Sequence, residues 1–326
     1  MRPQDQKDLH DLFIEELQER IPKKVELVNS VSDMLRIEKE SVYRRLAGKV
    51  NFTVKEIGII AKKMNISLDG ILHKDEGRPW LPLSLDPPMT SRNMKSLLDE
   101  ISSTMQRAKA ISEGANGVSG RVFGTLPLEL FIHSPLLTKF MFFKLGNYFV
   151  RSEEFNNFGE WEMPASFSRI IELNNSISDF PQTMYIWDSS LVWLLAMEIK
   201  KFYKMHIITA EEKKLIRDEL MTMMTRLEQT LNGTYLSNIQ WISDMDFYVS
   251  SNNLGFTCCY YTSDVGKFAL LQTNFSYSMI ENINDAVSKI KGWADSLLNI
   301  STLISRSGRM DRRLFFESQY EIIEKI

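Results

Sequence analysis

Cysteine is nearly absent: Cys258 and Cys259 are the only two in 326 residues, and they are adjacent. Neighbouring thiols build no disulfide framework, and two fall short of a four-ligand zinc site, so neither a structural metal nor a cofactor is expected. Histidine is scarce too. His10, His73, His133 and His206 are scattered, with no HExxH and no close His/Cys/carboxylate spacing, which leaves no metal centre to nominate. Long apolar runs are missing. The longest, LVWLLAMEI (Leu191–Ile199), contains Glu198 and is far too short to span a bilayer. The N-terminus, MRPQDQKDLHDLF, is polar where a secretory signal would be apolar. The expectation is a reduced, cytoplasmic protein without a membrane partner. Net charge is only −3, so the chain as a whole shows no bias toward a polyanion.

What is present is unevenly spread. With 44% hydrophobic and 25% charged residues the composition is that of an ordinary globular protein, and the length suits one small and one large domain. Residues 36–63 hold eight cations, Arg36, Lys39, Arg44, Arg45, Lys49, Lys55, Lys62 and Lys63, against Glu38, Glu40 and Glu56. That segment is locally cationic inside an acidic chain.

Five short helices are predicted in the first quarter. DLFIEELQERI carries Phe13, Leu17 and Ile21 at helical spacing and stops at Pro22. KVELVNSVSDML has an apolar stripe of Val25, Val28, Val31 and Leu35. A third helix, about 39–48, buries Val42 and Leu46, with Gly48 as the residue just past its end. Thr53 and Glu56 fit a capping box for the fourth, which runs through Ile57, Ile60, Ala61 and Met64. Ser67 caps a last turn, LDGIL. The proline-containing stretch His73–Thr90, with Trp80, reads as a linker. The domain expectation is therefore 1–73, a linker at 74–92, and a larger domain at 93–326.

In the larger domain, helices are predicted near 93–113, 127–150, 164–175, 183–205, 210–231, 279–303 and 309–325, with a second capping box at Thr209 and Glu212. From about 236 the aromatic and β-branched texture of IQWISDMDFYVSS, GFTCCYYTSD and KFALLQTNFSYS reads as a small antiparallel meander. The fold class expected is mainly α with that small sheet.

Two helices joined by a three- or four-residue turn form a helix-turn-helix, whose second helix enters the major groove. Lys39, Glu40, Tyr43 and Arg44 stand where base edges are reached: Lys or Arg donates to guanine, and Glu accepts from cytosine. Arg45, Lys49, Asn51 and Thr53, at the helix end and the next helix's first turn, are placed for phosphates.

The stretch SVSDMLRIEKESVYRRLAGKVNFTVKEIGIIAKKMNISLDGIL resembles the lambda-repressor-like, Cro-type helix-turn-helix domain. It is most similar to variants in Bacteroidetes-type bacterial regulators and the BetR-like group. The features that carry the resemblance are the five-helix order, ESVYRRLAGK, the following T..EI..IAK.MNIS helix and the closing LDGIL. It covers the first domain only. The resemblance implies the same base-reading residues, Lys39, Glu40, Tyr43 and Arg44, and phosphate contacts from Arg45, Lys49 and Asn51. Two positions depart from the family: Val28 or Asn29 stands where Gln is common, and Arg36 takes the turn position usually held by a small residue.

The remaining motifs carry less. GANGVSGRVFG (Gly114–Gly124) lacks the Gly-Lys-Ser/Thr end of a P-loop and reads as an interhelical loop. Glu160 and Glu162 flank Trp161 with nothing converging on them, a solvated turn. Cys258 and Cys259 point to opposite faces of a strand, as core thiols rather than redox sensors. Tyr185, Trp187, Trp193, Phe202 and Tyr203 fit the packing face of one amphipathic helix better than a ligand pocket. In the tail, Arg306, Arg309, Arg312 and Arg313 precede Phe315, Phe316, Tyr320 and Ile323, a solvated face over a packed stripe.

With no catalytic constellation, an enzyme is not expected. The expectation is a transcriptional regulator that binds double-stranded DNA as a homodimer. Its larger domain would dimerise and sense a small-molecule or protein effector. The competing class is a protein-interaction adaptor whose helix-turn-helix no longer binds DNA.

Overall fold

A computed structural model describes residues 8–64, 66–72, 93–150, 152–177, 180, 182–232, 245–255, 257–272, 277–281, 286–305 and 307–326. The proposed linker at 74–92, with Trp80, and His73 lie outside the described residues, as does Arg306. The chain divides into two compact units, Met1–Leu83 with Ile280–Lys289, and Ser84–Met279 with Ile290–Ile326.

The N-terminal unit contains α1 (Leu9–Arg20), α2 (Lys24–Leu35), α3 (Lys39–Leu46), α4 (Val54–Met64) and α5 (Leu68–Leu72). One apolar cluster joins them: Phe13 and Leu17, Leu27, Val28 and Val31, Val42 and Leu46, Ile57 and Ile60, and Ile71. The expected stripe of α2 is rotated by one ridge, because Val25 is 65% exposed and Leu27 takes the inward position. Local caps set the helix ends. Asp8 accepts the Asp11 amide at 2.9 Å, Thr53 and Glu56 form the expected capping box, and Ser67 accepts the Gly70 amide at 3.1 Å.

The larger unit is mainly helical, as expected, but its sheet is not an antiparallel meander. Seven strands are ordered β6-β5-β4-β1-β2-β3-β7 among the described residues. They are β1 (Val118–Phe123), β2 (Gln182–Asp188), β3 (Asp246–Ser250), β4 (Thr257–Thr262), β5 (Lys267–Gln272), β6 (Tyr277–Glu281) and β7 (Ser301–Leu303). β1, β2 and β3 are parallel neighbours, and β4 and β7 pair antiparallel to β1 and β3. Parallel strands require crossovers. The first is built from α7 (Leu128–Phe131), α8 (Pro135–Leu145), a π turn at Gly146–Val150 and α9 (Phe167–Ile177). The second is α10 (Trp193–Lys204) and α11 (Ala210–Leu231). α6 (Met94–Ser112) precedes the sheet, α12 (Ala286–Leu297) lies between β6 and β7, and α13 (Arg309–Glu324) follows.

Several sequence expectations are corrected. The glycine-rich loop at 114–124 contains the central strand β1. Gly120 lies under the Tyr260 ring, so closely that a Cβ would overlap it. The helix expected at 183–205 is strand β2 followed by α10, and the one expected at 279–303 is divided among β6, α12, a 3-10 turn and β7. The aromatic group is divided with it. Tyr185 and Trp187 are fully buried on β2 and Phe202 is buried on α10, while Trp193 and Tyr203 are exposed. In the tail, Arg312 turns inward instead of forming surface: its Nε donates to Asn232 Oδ1 at 2.7 Å and its guanidinium to the Ile304 carbonyl. Phe315, Phe316 and Ile323 form the packed stripe.

Candidate nucleic-acid interface

Three residues, Arg36, Ile37 and Glu38, connect α2 to α3. Arg36 is left-handed (φ 55°, ψ 46°), and its amide and that of Ile37 both return to the Ser32 carbonyl. Ser32 Oγ in turn donates to the Ile37 carbonyl at 2.7 Å. A left-handed non-glycine residue costs about 1 kcal/mol, which these bonds offset, so Arg36 makes the turn between the two helices. α3 ends in a Schellman motif: Lys49 N–H reaches Arg44 O at 2.9 Å, Gly48 N–H reaches Arg45 O at 3.0 Å, and Gly48 has φ +69°.

With Val42 and Leu46 marking the inward direction, the ~100° step of an α-helix places Glu40 and Arg44 about 140° and 180° away from it. Tyr43 and Arg45 then fall at roughly 80° on either flank. Burial follows this wheel for these four residues; Lys39, which the same step places only about 40° from the inward direction, is exposed in the first turn of α3. Lys39, Glu40, Arg44, Lys49, Asn51 and Thr53 are exposed, and Tyr43 and Arg45 are half-buried. Tyr43 packs against the core with Lys24 Nζ 5.8 Å from its ring centre.

Arg45 departs most from a free phosphate contact. Its Nε and NH2 donate to the two Glu56 carboxylate oxygens at 3.2 and 2.9 Å, and its NH1 donates to the Ser41 carbonyl at 3.2 Å. The fork ties α3 to the first turn of α4. Burial pushes the Glu56 carboxyl pKa up, but the Thr53 amide, the Arg45 guanidinium and the Thr53 hydroxyl outweigh it and hold the carboxyl below its ordinary value. Thr53 Oγ1 accepts the Glu56 amide at 3.2 Å, and its hydroxyl is turned to the Glu56 carboxylate. Among the described residues, Lys39, Arg44 and Lys49 have no ion-pair partner. Glu56 as the partner of Arg45 escaped the sequence reading, since its place in the capping box already accounted for it.

Asp8, His10 and Asp11 offer atoms within 4.8 Å of one another, with His10 Nδ1 3.9 Å from Asp11 Oδ1. His10 Nε2, however, is buried with no hydrogen-bond partner, and its ring lies 5.8 Å from that of Phe52. A metal on Nδ1 would force the other nitrogen to keep its proton with no acceptor, the reverse of the usual outer-shell support. Inside the larger unit, Arg121 NH1 donates to Glu129 Oε1 at 2.7 Å, and the Tyr185 hydroxyl donates to the same oxygen at 2.9 Å. This buried pair was missed because Arg121 sits in the glycine-rich stretch. Cys258 and Cys259 are buried, and burial pushes the Cys258 thiol up to about 12 and Cys259 higher still. Glu160 and Glu162 are exposed around a buried Trp161, as a solvated turn would have them.

No family model, curated protein or solved structure matches this chain. Among the described residues, no helix is long and apolar enough to cross a membrane.

Proposed function

We infer that the chain is a sequence-specific, double-stranded DNA-binding transcriptional regulator. In this reading α2 and α3 are the helix-turn-helix, and α3 lies in the major groove. Lys39, Glu40, Tyr43 and Arg44 face base edges. Lys49, Asn51 and Thr53 face phosphates, with Arg45 bracing the helix that presents them.

One observation supports this above the rest: Lys39, Arg44 and Lys49 stand exposed around the α3–α4 corner with no partner among the described residues, while neighbouring Arg45 is taken up by Glu56. A solvated helix face tends to pair its charges at i,i+4, and α3 leaves Glu40 and Arg44 without an ion pair among the described residues. A single unit covers little DNA, so the regulator acts as a homodimer on two half-sites, with the larger unit holding the copies together and receiving any effector.

The test is retardation of duplex genomic fragments by the full chain. Lys39→Ala/Arg44→Ala should weaken retention at least tenfold, with an unchanged circular dichroism spectrum. Undiminished binding by that variant would remove the assignment. Absence of binding by the parent chain would favour the adaptor reading.

A further inference from the structure

We propose that the half-site read by α3 contains a C·G pair and a G·C pair within about two base pairs of each other, read by Glu40 and Arg44 respectively. The inference rests on the DNA-binding reading and adds the composition of the site. Glu40 and Arg44 are the two side chains that point most directly away from Val42 and Leu46, and both are exposed. Four residues of helix rise by about 6 Å, a little under two steps of ~3.4 Å along a DNA strand. A helix lying along the groove therefore sets the two heads against neighbouring pairs.

Their chemistries are opposite. An ionised carboxylate only accepts, and in the major groove cytosine offers the N4 amino donor. A guanidinium only donates, and guanine offers O6 and N7 side by side to its fork. Neither head has a side-chain partner among the described residues. Glu40 stands four residues before Arg44, the favoured order for a helical ion pair, yet no bridge joins them among the described residues. Of the flanking positions, Arg45 is bound to Glu56, and Tyr43, half-buried with its ring against the core, adds a neutral contact that does not compete with the two charged heads.

Glu40 has a second effect. A carboxylate pushed between two phosphate chains is repelled unless a cytosine amino group meets it, so it penalises every duplex lacking that base. The two residues thus respond differently to removal. Arg44→Ala loses both attraction and guanine preference. Glu40→Ala loses cytosine preference while binding unrelated DNA more tightly.

The experiment is selection from a random duplex pool by the full chain at about 0.1 M salt, repeated with Glu40→Ala and with Arg44→Ala, then affinity measurements on single-base variants of the winner. The expected result is a half-site with C and G at positions no more than two pairs apart. Discrimination at the C position should fall about 5- to 150-fold in Glu40→Ala alone, and at the G position by a similar factor in Arg44→Ala alone. Glu40→Ala should also retain non-selected duplex more strongly than the parent chain. A parent chain that selects a half-site whose preferences neither variant alters overturns this inference and leaves the DNA-binding reading standing. A parent chain that enriches no duplex at all overturns both.

Discussion

Removing Arg45 should loosen α3 from α4 without touching the apolar core. Its fork makes two hydrogen bonds to Glu56 and one to the Ser41 carbonyl, with the two side chains 18% and 16% exposed. Charge-assisted bonds of this kind each contribute on the order of 1 kcal/mol net once desolvation and side-chain entropy are counted. Arg45→Ala should therefore cost about 1–2 kcal/mol. Glu56→Ala should cost more, about 2–3 kcal/mol, because it also removes the bond to the Thr53 amide. In a double-mutant cycle the coupling should be about 1–2 kcal/mol. Amide hydrogen exchange of α3 and α4 in the full chain reads these local free energies. Acid supplies an independent check. The folded Glu56 carboxyl lies below its ordinary value, so its stabilisation is complete above the unfolded carboxylate range and is lost as pH falls through the folded value. Protection of α3 should drop there in the parent chain and less in Glu56→Gln. A coupling below about 0.3 kcal/mol, typical of an exposed pair, would refute the brace. Arg44→Ala, by contrast, should change protection by less than about 0.5 kcal/mol.

Three further outcomes follow from the larger unit. Gly120→Ala should destabilise it by about 2 kcal/mol through overlap with the Tyr260 ring; urea unfolding measures this, and in a Tyr260→Ala background the extra loss should vanish. Glu129→Ala strands the buried Arg121 guanidinium and should cost roughly 3 kcal/mol, seen as lost exchange protection in β1 and β2. Cys258 should resist iodoacetamide at pH 8 in the folded chain and react once unfolded, since its thiol is pushed up to about 12; rapid native labelling would contradict that burial.

The N-terminal helices could be read from the chain because each carries its own signals. Caps at Thr53 and Ser67, the terminating Gly48 and a 3.6-residue apolar period all agree there. The sheet was hidden for two physical reasons. Gly120 is required by the Tyr260 ring above it, and that glycine makes β1 look like a loop. β2, TMYIWD, is covered on both faces and so shows no alternation; a short apolar run is then indistinguishable from buried helix. The turn Ser189–Val192 leads directly into α10, so strand and helix read as one segment. On α3, exposure of Glu40 and Arg44 was legible from the wheel, whereas that of Lys39 comes from its place at the first helical position. The engagement of Arg45 was not, because its partner lies eleven residues away across a turn.

The most direct test of the proposed DNA binding by α3 is the salt dependence of duplex affinity for the full chain and for Lys49→Ala. Each phosphate neutralised contributes about −0.9 to the slope of log affinity against log salt. The account expects a steep slope for the parent chain, and one shallower by about 1 per bound subunit in Lys49→Ala, with affinity reduced alike on every sequence. A slope unchanged by the substitution, or an affinity indifferent to salt, would contradict it.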